Sequence, residues 1–552
     1  MKNTCLRFIL LLSFASLLLL SKSNAQAVFE NPKHPVYEYL SRQAQKGNID
    51  FDDLIQPVSR KQIATLLHHL QDSVTTLTNT EKKELTFYLN EYSEYNSDYK
   101  DTTLFLFKKD QYKNRSLISV KKGDFILRAD PAVTFGGIYG GANKSIVSQA
   151  SGFTFWGQAG KHFAFQAYFQ DINETGKGID SLKLFTSETG IVRTANLHPN
   201  RTVNFSDVRG NLTYSWNNGL VTIGQDQLLY GYGQDGRLIL SNKPPSYPFL
   251  RLDYQPLNWL RFNYSFVVLQ SGIIDSTRSY NKGNALYGIY REVYVQKYMA
   301  SHSLNFLPTK GLVLSIGESM VSSDRLDPGY LIPLVFFKSY DQYASRYKIT
   351  TGSNAQFFFQ ASSRNNIPKA HLYGTLFIDE IRIATIFDPA KSRNQIGVNI
   401  GASVTDVIIP YLTFGAEYTR INPFVYQNLI PAQNYTNQKY LLGDWIGQNA
   451  DKSILWASYN PFPRLTTYAQ FMYVRKGADG SIADQYFAEP QPKFLKQGPV
   501  QTQKQLTLEA RYEILHRLYT KASYMHQSGV IRPDVQTSAV PNQVSLGVSY
   551  GF

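Results

Sequence analysis

Residues 543–552 read QVSLGVSYGF. Val544, Leu546, Val548, Tyr550 and Phe552 fall on one parity and Ser545, Gly547, Ser549 and Gly551 on the other, so an extended chain here has one wholly apolar face and one small, polar face. A strand of roughly ten residues with one greasy and one wet face has the length and pattern to cross an outer membrane within a closed barrel. An edge strand of a soluble sandwich carries the same alternation, so the choice rests on what lies upstream.

Half-apolar runs of the same kind begin near Gly123, Ser151, His162, Asp207, Leu220, Phe249, Trp259, Lys297, Gly311, Ser353, Lys369, Asn394, Pro410, Lys452, Leu465, Lys504, Leu518 and Gln543. That makes about eighteen, an even number, as single-chain bacterial barrels require. In one of the clearest, Phe163, Phe165, Ala167 and Phe169 alternate with Gln166, Tyr168 and Gln170. Short turns such as Gly160-Lys161 and Asn217-Asn218-Gly219 alternate with long connections, among them 171–206, 229–248, 271–296, 321–352, 422–451 and 476–503. The expectation is an all-β transmembrane barrel of about eighteen antiparallel strands within residues 116–552. An even count puts both termini on the side of the short turns, which in outer-membrane barrels is the periplasm, and sends the long loops outside the cell.

The N-terminal part reads differently. Lys2 and Arg7 precede an apolar run from Phe8 to Leu20, and Ser23-Asn24-Ala25 follows it, the layout of a secretory signal peptide over residues 1–25. Cys5, the only cysteine, lies inside that segment, so the exported chain is expected to hold no disulfide and no thiol ligand. No apolar stretch after Leu20 is long enough for a spanning helix, so residence in a membrane has to be by strands. From His34 to about Tyr99 the spacing turns helical, with Ser59 and Gln62, then Thr78 and Glu81, placed as capping boxes. Residues 26–115 are therefore expected to form a periplasmic helical segment too small for a substantial core of its own. Its apolar faces would pack against the barrel or a periplasmic partner. His68 and His69 point about 100° apart on such a helix and have no carboxylate at i+4, which suits solvent or packing better than a metal.

The formal charge of +14, from 56 basic and 42 acidic residues, suits an anionic partner such as lipopolysaccharide or an acidic polysaccharide. Nucleic acid is the poorer match for an exported chain. Tyr (38) and Phe (34) supply most of the 14% aromatic content, a density that fits both interfacial girdles and sugar-stacking surfaces. A mean hydropathy of −0.29 is no obstacle to a barrel, because alternation averages the two faces together.

Residues 211–251 (NLTYSWNNGLVTIGQDQLLYGYGQDGRLILSNKPPSYPFLR) carry a family resemblance. A strand ending in Gly224-Gln225-Asp226 leads into the Gly-rich turn Gly231 to Gly233, then Leu238 to Asn242, Pro244-Pro245 and Arg251. In this the chain resembles the outer-membrane capsule-assembly proteins of the Wzi family. His34 to Leu40 with Pro57 to Leu67, Asp327 to Phe337 (DPGYLIPLVFF), and Leu442 to Trp456 agree with it in order. The family often has a Trp and a Pro in the Gly-rich turn where this chain has Tyr230 and Tyr232 and no proline, a departure that bears on the ligand more than on the fold. The resemblance implies a barrel of about eighteen strands, closed on the periplasmic side by a helical bundle. It implies a protein that holds or organises capsular or extracellular polysaccharide on a Gram-negative surface and is neither an enzyme nor a cofactor carrier.

A surface hydrolase needs a nucleophile or activated water beside a base. The nine histidines are scattered, and no His-Glu-x-x-His, Gly-x-Ser-x-Gly or phosphate-binding Gly-rich loop occurs. Asp379 and Glu380 point to opposite faces of a regular strand and cannot act together. No catalytic or metal set is assigned. For polysaccharide binding or loop anchoring, two loop groups combine a ring with charged hydrogen-bonding groups: Tyr230, Tyr232, Asp235 and Arg237, and Arg325, Asp327 and Tyr330. Asn242, Arg251 and Trp445 join them. A ring can cover an apolar sugar face while Arg, Asp or Asn takes hydroxyls or uronate carboxylates. A diffusion porin or specific transporter is the first rival reading, and a surface hydrolase the second.

Overall fold

The computed structural model describes residues 27–551 apart from 142–143, 193–200, 284–288, 347–351, 382, 386, 389–393, 489–490, 497 and 533–541. The expected signal segment with Cys5, and Phe552, lie outside the described residues.

Alternation of apolar and polar residues produces eighteen wall strands: β1 (Phe125–Gly140), β2 (Ile146–Ala159), β3 (Phe163–Gly176), β4 (Thr202–Trp216), β5 (Gly219–Asp226), β6 (Tyr247–Leu257), β7 (Leu260–Ile274), β8 (Tyr294–Thr309), β9 (Leu312–Ser323), β10 (Asn354–Arg364), β11 (Ala370–Glu380), β12 (Gln395–Thr405), β13 (Leu412–Ile421), β14 (Ala450–Phe462), β15 (Leu465–Lys476), β16 (Gln501–Leu515), β17 (Leu518–Ser528) and β18 (Asn542–Tyr550). Each pairs antiparallel with the next, and β18 closes on β1 from Gln543↔Gly140 to Tyr550↔Val133. Every expected run falls on one of these strands. The largest offsets are at β2 and β4, which start before Ser151 and Asp207. At β4 the alternation inverts: the outward parity carries Thr202, Asn204 and Ser206, while Val203 and Phe205 pack inward with Ile191. The strand continues past the apolar belt there, and the greasy-outside pattern stops before it does.

The belt itself is plain. Val544, Leu546 and Val548 are about half exposed on the outer wall, as are Phe135, Leu212, Ile223 and Leu455. A water-soluble surface does not carry a continuous ring of such residues, whereas a wall facing lipid requires one.

Three helices occupy the short-turn mouth: α1 (Val36–Gln45), α2 (Arg60–Ser73) and α3 (Asn79–Glu91). The Ser59 side chain accepts from Gln62 N, and Thr78 with Glu81 forms the full reciprocal box. Gly47, at φ +78°, ends the first helix in a conformation that side chains disfavour. Val36, Leu40, Ile63, Leu67, Leu70, Leu85 and Tyr88 form a core among the helices. Charged contacts then fix that bundle to the wall: Asp52 to Arg261 at 2.6 Å, Asp53 to Arg364 at 2.7 Å, Lys46 to Asp406 at 2.9 Å and Glu38 to Arg511 at 2.9 Å. A hairpin of Thr102–Phe105 and Ile118–Lys122 adds to the lower part of β1, so the helical segment joins the barrel by strand pairing as well.

The second core lies in the lumen. Connections 227–246 and 422–449 turn inward and bury Leu238, Ile239, Tyr426, Tyr435 and Trp445 against Val267, Phe358 and Phe377 of the wall. Leu229–Tyr230 pairs antiparallel with Ile55–Gln56, so the loop from one end meets the helical segment from the other.

Candidate functional site

The wall separates the ten residues singled out by sequence into two places. One group sits in the lumen. The Tyr230 hydroxyl meets Ser315 Oγ at 2.8 Å and donates to Asn305 Oδ1 at 3.3 Å, while Tyr232 donates to Asp53 Oδ1 at 2.9 Å with its ring edge-on to His371. Arg237 Nε donates to the Gly231 carbonyl at 2.7 Å. Asp235 accepts through its carbonyl from Trp445 Nε1 at 2.6 Å and Lys452 Nζ at 3.0 Å, and its carboxylate meets Gln470. Asn242 gives its carbonyl to Gln227, and Arg251 donates to Pro57 O at 3.3 Å and pairs with Asp253 at 2.7 Å. The loop was expected to face outward. It folds inward because Leu228, Leu229, Leu238, Ile239 and Leu240 need burial, and because Gly236, at φ +151°, lets the Asp444 carboxylate approach where a Cβ would lie within 2.5 Å of it.

The other group lies on the outside of the wall. Arg325 is exposed, whereas Asp327 accepts from Gly329 N at 3.0 Å and Tyr340 Oη at 2.6 Å, and Tyr330 donates to Asp341 at 3.1 Å. Asp379 and Glu380, neighbours on β11, serve different partners, Asp379 accepting from Tyr426 N and Gln356, and Glu380 from Tyr486 Oη.

Among the described residues, a cavity is left between the wall and the loop after β3. It has a volume of about 350 Å³ and lies beneath the long loops, lined by Thr134, Tyr168, Gln170, Glu174, Lys183, Glu188, Asp207 and Arg209 together with the apolar Ile172, Ile191, Val192 and Phe205, with Asn31 and Lys33 contributed by the helical segment. A neighbouring cavity of about 100 Å³ shares Asn31, Tyr168 and Arg209 and reaches Trp156, Arg60 and Gln166. Arg209 pairs with Asp207 through Nε at 3.0 Å and Nη2 at 2.5 Å, and its guanidinium carbon lies 5.4 Å from the Tyr168 ring centre. Tyr168 Oη donates to Gln170 Oε1 at 2.8 Å, and Gln170 Nε2 to Thr134 Oγ1 at 3.1 Å. Lys183 bridges Glu174 and Glu188, each at 2.8 Å. Opposing carboxylates raise the Lys183 ammonium above its ordinary range although burial pulls it down. Lys243 reaches the carbonyls of Thr186 and Glu188 at 2.8 Å and so ties the loop after β3 to the loop after β5.

A ring, a paired arginine and carboxylate, and amide and hydroxyl groups around one cavity are the parts that recognise a glycan. Tyr168 and Gln170 already stand on the inward parity of their strand. The sequence missed the site because parity tells which residues face the lumen and not which of them the inward loops leave uncovered.

Residues 384–538 match the family model described as capsule assembly protein Wzi. No curated protein matches the chain by sequence. Among solved structures, the chain is similar to Wzi of Escherichia coli, described as an outer membrane protein involved in group 1 capsule assembly and a carbohydrate-binding β-barrel. The TM-score is 0.57 at 13% identity, over 96% of this chain and 100% of that one. The Pseudomonas aeruginosa barrels OccK5 and OpdK align at TM-scores of 0.42 and 0.43 and identities of 10% and 9%, over 77% of this chain and 97% and 98% of theirs, a likeness too loose to argue from. The chain thus resembles the Wzi capsule-assembly family in sequence through residues 384–538, and shares the fold of a solved Wzi barrel along nearly its whole length.

Proposed function

We propose that the chain is a non-enzymatic outer-membrane barrel that binds or organises capsular or extracellular polysaccharide at the cell surface. The long connections leave the wall at the extracellular end, although two of them fold back into the lumen, and the termini and helical segment lie on the periplasmic side. The carrying observation is the cavity beneath the long loops, where Tyr168, Arg209, Asp207 and Gln170 stand with Asn31 and Lys33 beside the apolar Ile172 and Phe205. A tyrosine ring covers the apolar face of a sugar, and the amide and carboxylate groups take its hydroxyls. Lys33, Lys183 and Arg209 stand with Glu174, Glu188 and Asp207, so the site balances charge and suits a neutral or sparsely acidic polymer better than a dense polyanion. The description of Escherichia coli Wzi as carbohydrate-binding supports the same reading.

Binding of the purified barrel to polysaccharide isolated from its own cells tests this. Saturable binding is the expected result, together with release of polymer into the medium when the gene is deleted and synthesis left intact. Unchanged cell-attached polymer in the deletion strain would overturn the proposal. A steady open conductance of the purified protein in planar bilayers would favour transport instead.

A further inference from the structure

The connection after β9 does not stand above the barrel. Residues 327–346 run down the outside of the wall as a short 3₁₀ turn (Pro328–Leu331), an irregular stretch and a helix, α4 (Phe337–Arg346). Tyr330 and Phe337 bury the outward-facing Tyr264, Phe266, Ala300 and Met320 beneath them, a small core formed outside the barrel. Between the 3₁₀ turn and α4 the side of this strap away from the wall is apolar: Leu331, Ile332 and Phe336 are between about a third and a half exposed, and Leu334 is 84% exposed, whereas α4 itself exposes Ser339, Gln342 and Arg346.

The wall below the strap departs from the lipid-facing rule in a purposeful way. His302 and Glu318 both point outward and pair at 3.0 Å, a costly arrangement on a bare lipid face. Glu318 accepts the backbone N–H of Phe337 at 2.5 Å and of Lys338 at 3.3 Å, which are free donors at the start of α4. His302 Nδ1 meets the Pro333 carbonyl at 2.8 Å, and Tyr264 Oη donates to the Tyr330 carbonyl at 2.9 Å. Inside the strap, Tyr330, Ile332, Val335 and Tyr340 donate to the carbonyls of Asp327, Gly329, Ile332 and Phe336. Irregular backbone is tolerated at membrane depth only where protein covers it and satisfies its polar groups, as Glu318, His302 and Tyr264 do along the side of the strap that lies on the wall. Glu318 is in the middle of β9, and the outward residues that continue its row toward the short-turn end, Leu314 and Ile316, belong to the exposed belt.

We propose that residues 327–346 form a membrane-embedded strap, latched to the wall by Glu318 and His302, whose Leu331–Phe336 face takes the acyl chains of the outer leaflet. The occupant is lipid because this face adjoins the belt, whose Leu314 and Ile316 continue the outward row of Glu318. The proposal rests on the membrane-barrel reading above. It also removes Asp327 and Tyr330 from any part in holding polysaccharide and makes them strap anchors.

The test uses the full barrel in nanodiscs containing phosphatidylcholine with brominated acyl chains, with an environment-sensitive fluorophore on a single introduced cysteine. The sites are Leu334→Cys in the strap, Leu314→Cys in the belt and Leu429→Cys in a long loop. Expected is quenching at 334 within about twofold of that at 314 and well above that at 429, with aqueous iodide giving the reverse order. Quenching at 334 like that at 429 would overturn the strap, as would shielding from both quenchers with a dimeric mass, the sign of a second copy. Failure of lipid to quench at 314 would overturn the barrel reading itself. Glu318→Ala with the 334 label is expected to shift quenching from lipid toward iodide while the folded, heat-modifiable band persists in gels; an unmoved label would remove Glu318 as the latch.

Discussion

Tyr230 and Ile55 are paired strand residues although one belongs to a loop that enters from the long-loop end and the other to the helical segment at the opposite mouth. Their meeting joins the two cores of the molecule through the lumen, with Tyr232 on Asp53 and Arg251 on Pro57 as flanking ties. Replacing residues 229–240 by a short Gly-Ser link should therefore open the filled half of the lumen. Planar-bilayer recordings are expected to show steady conductance from this variant where the parent shows little. Silence from the variant would mean that the remaining loops alone close the barrel.

Arg60 is the electrostatic centre of the helical segment. It donates to Glu94 at 2.8 and 3.0 Å, pairs with Glu30, and lies 4.3 Å from the Tyr92 ring and 4.7 Å from the Trp156 ring of the wall. Arg60→Met takes the closest cation from buried Glu30 and Glu94, leaving them Tyr92 and the more distant Arg128, at a cost of about 3–5 kcal/mol. The bundle should then loosen while the strands persist. Limited proteolysis is expected to remove residues before the first wall strand and to spare the heat-modifiable barrel.

Acid should act on the same region. Burial pushes Glu30, Glu81 and Glu91 upward, yet Arg60, Lys46 and His34 outweigh it and hold all three below the ordinary carboxylate range. A carboxylate lowered in the folded state contributes stability that is present above its unfolded value near 4.5 and lost as pH falls through the folded one. Burial pulls His34 down, but Glu91 and Glu30 raise it to about 9, so its contribution is complete below 6.5 and fades as pH rises through about 9. The docked bundle is expected to resist protease best between about pH 5 and 7 and to undock at both extremes. Equal protease resistance at pH 3 and pH 6 would contradict this.

Much of the wall was legible because lipid on one side and water on the other force a strict period of two, as in Val544, Leu546 and Val548 against Ser545 and Gly547. The helices were legible through Ser59 and Thr78, whose side chains act within four residues. The loops were not. Whether Tyr230 faces the medium or the lumen depends on Ser315 and Asn305, far along the chain. Whether Tyr330 rises from the rim or lies on the wall depends on Tyr264 and Glu318. The candidate site shares that dependence: Tyr168 was readable as lumenal, and its accessibility is decided by where the loops of other hairpins settle.

Tyr168 and Arg209 should carry glycan affinity, and the lumenal anchors should not. Tyr168→Ala removes the stacking ring while leaving the strand pairing to Arg209 intact, and a loss of about tenfold in affinity, or about 1.4 kcal/mol, is expected. Arg209→Gln leaves Asp207 and Asp226 without their cation and should weaken binding at least as much. Tyr230→Phe loses only the bonds to Ser315 and Asn305, about 1–2 kcal/mol of stability, and should leave affinity unchanged. Isothermal titration with the cells' own polysaccharide, beside thermal melts of each variant, separates the two effects. If Tyr230→Phe lowered affinity while Tyr168→Ala did not, the glycan would have to lie on the inward loop and not in the cavity beside Tyr168.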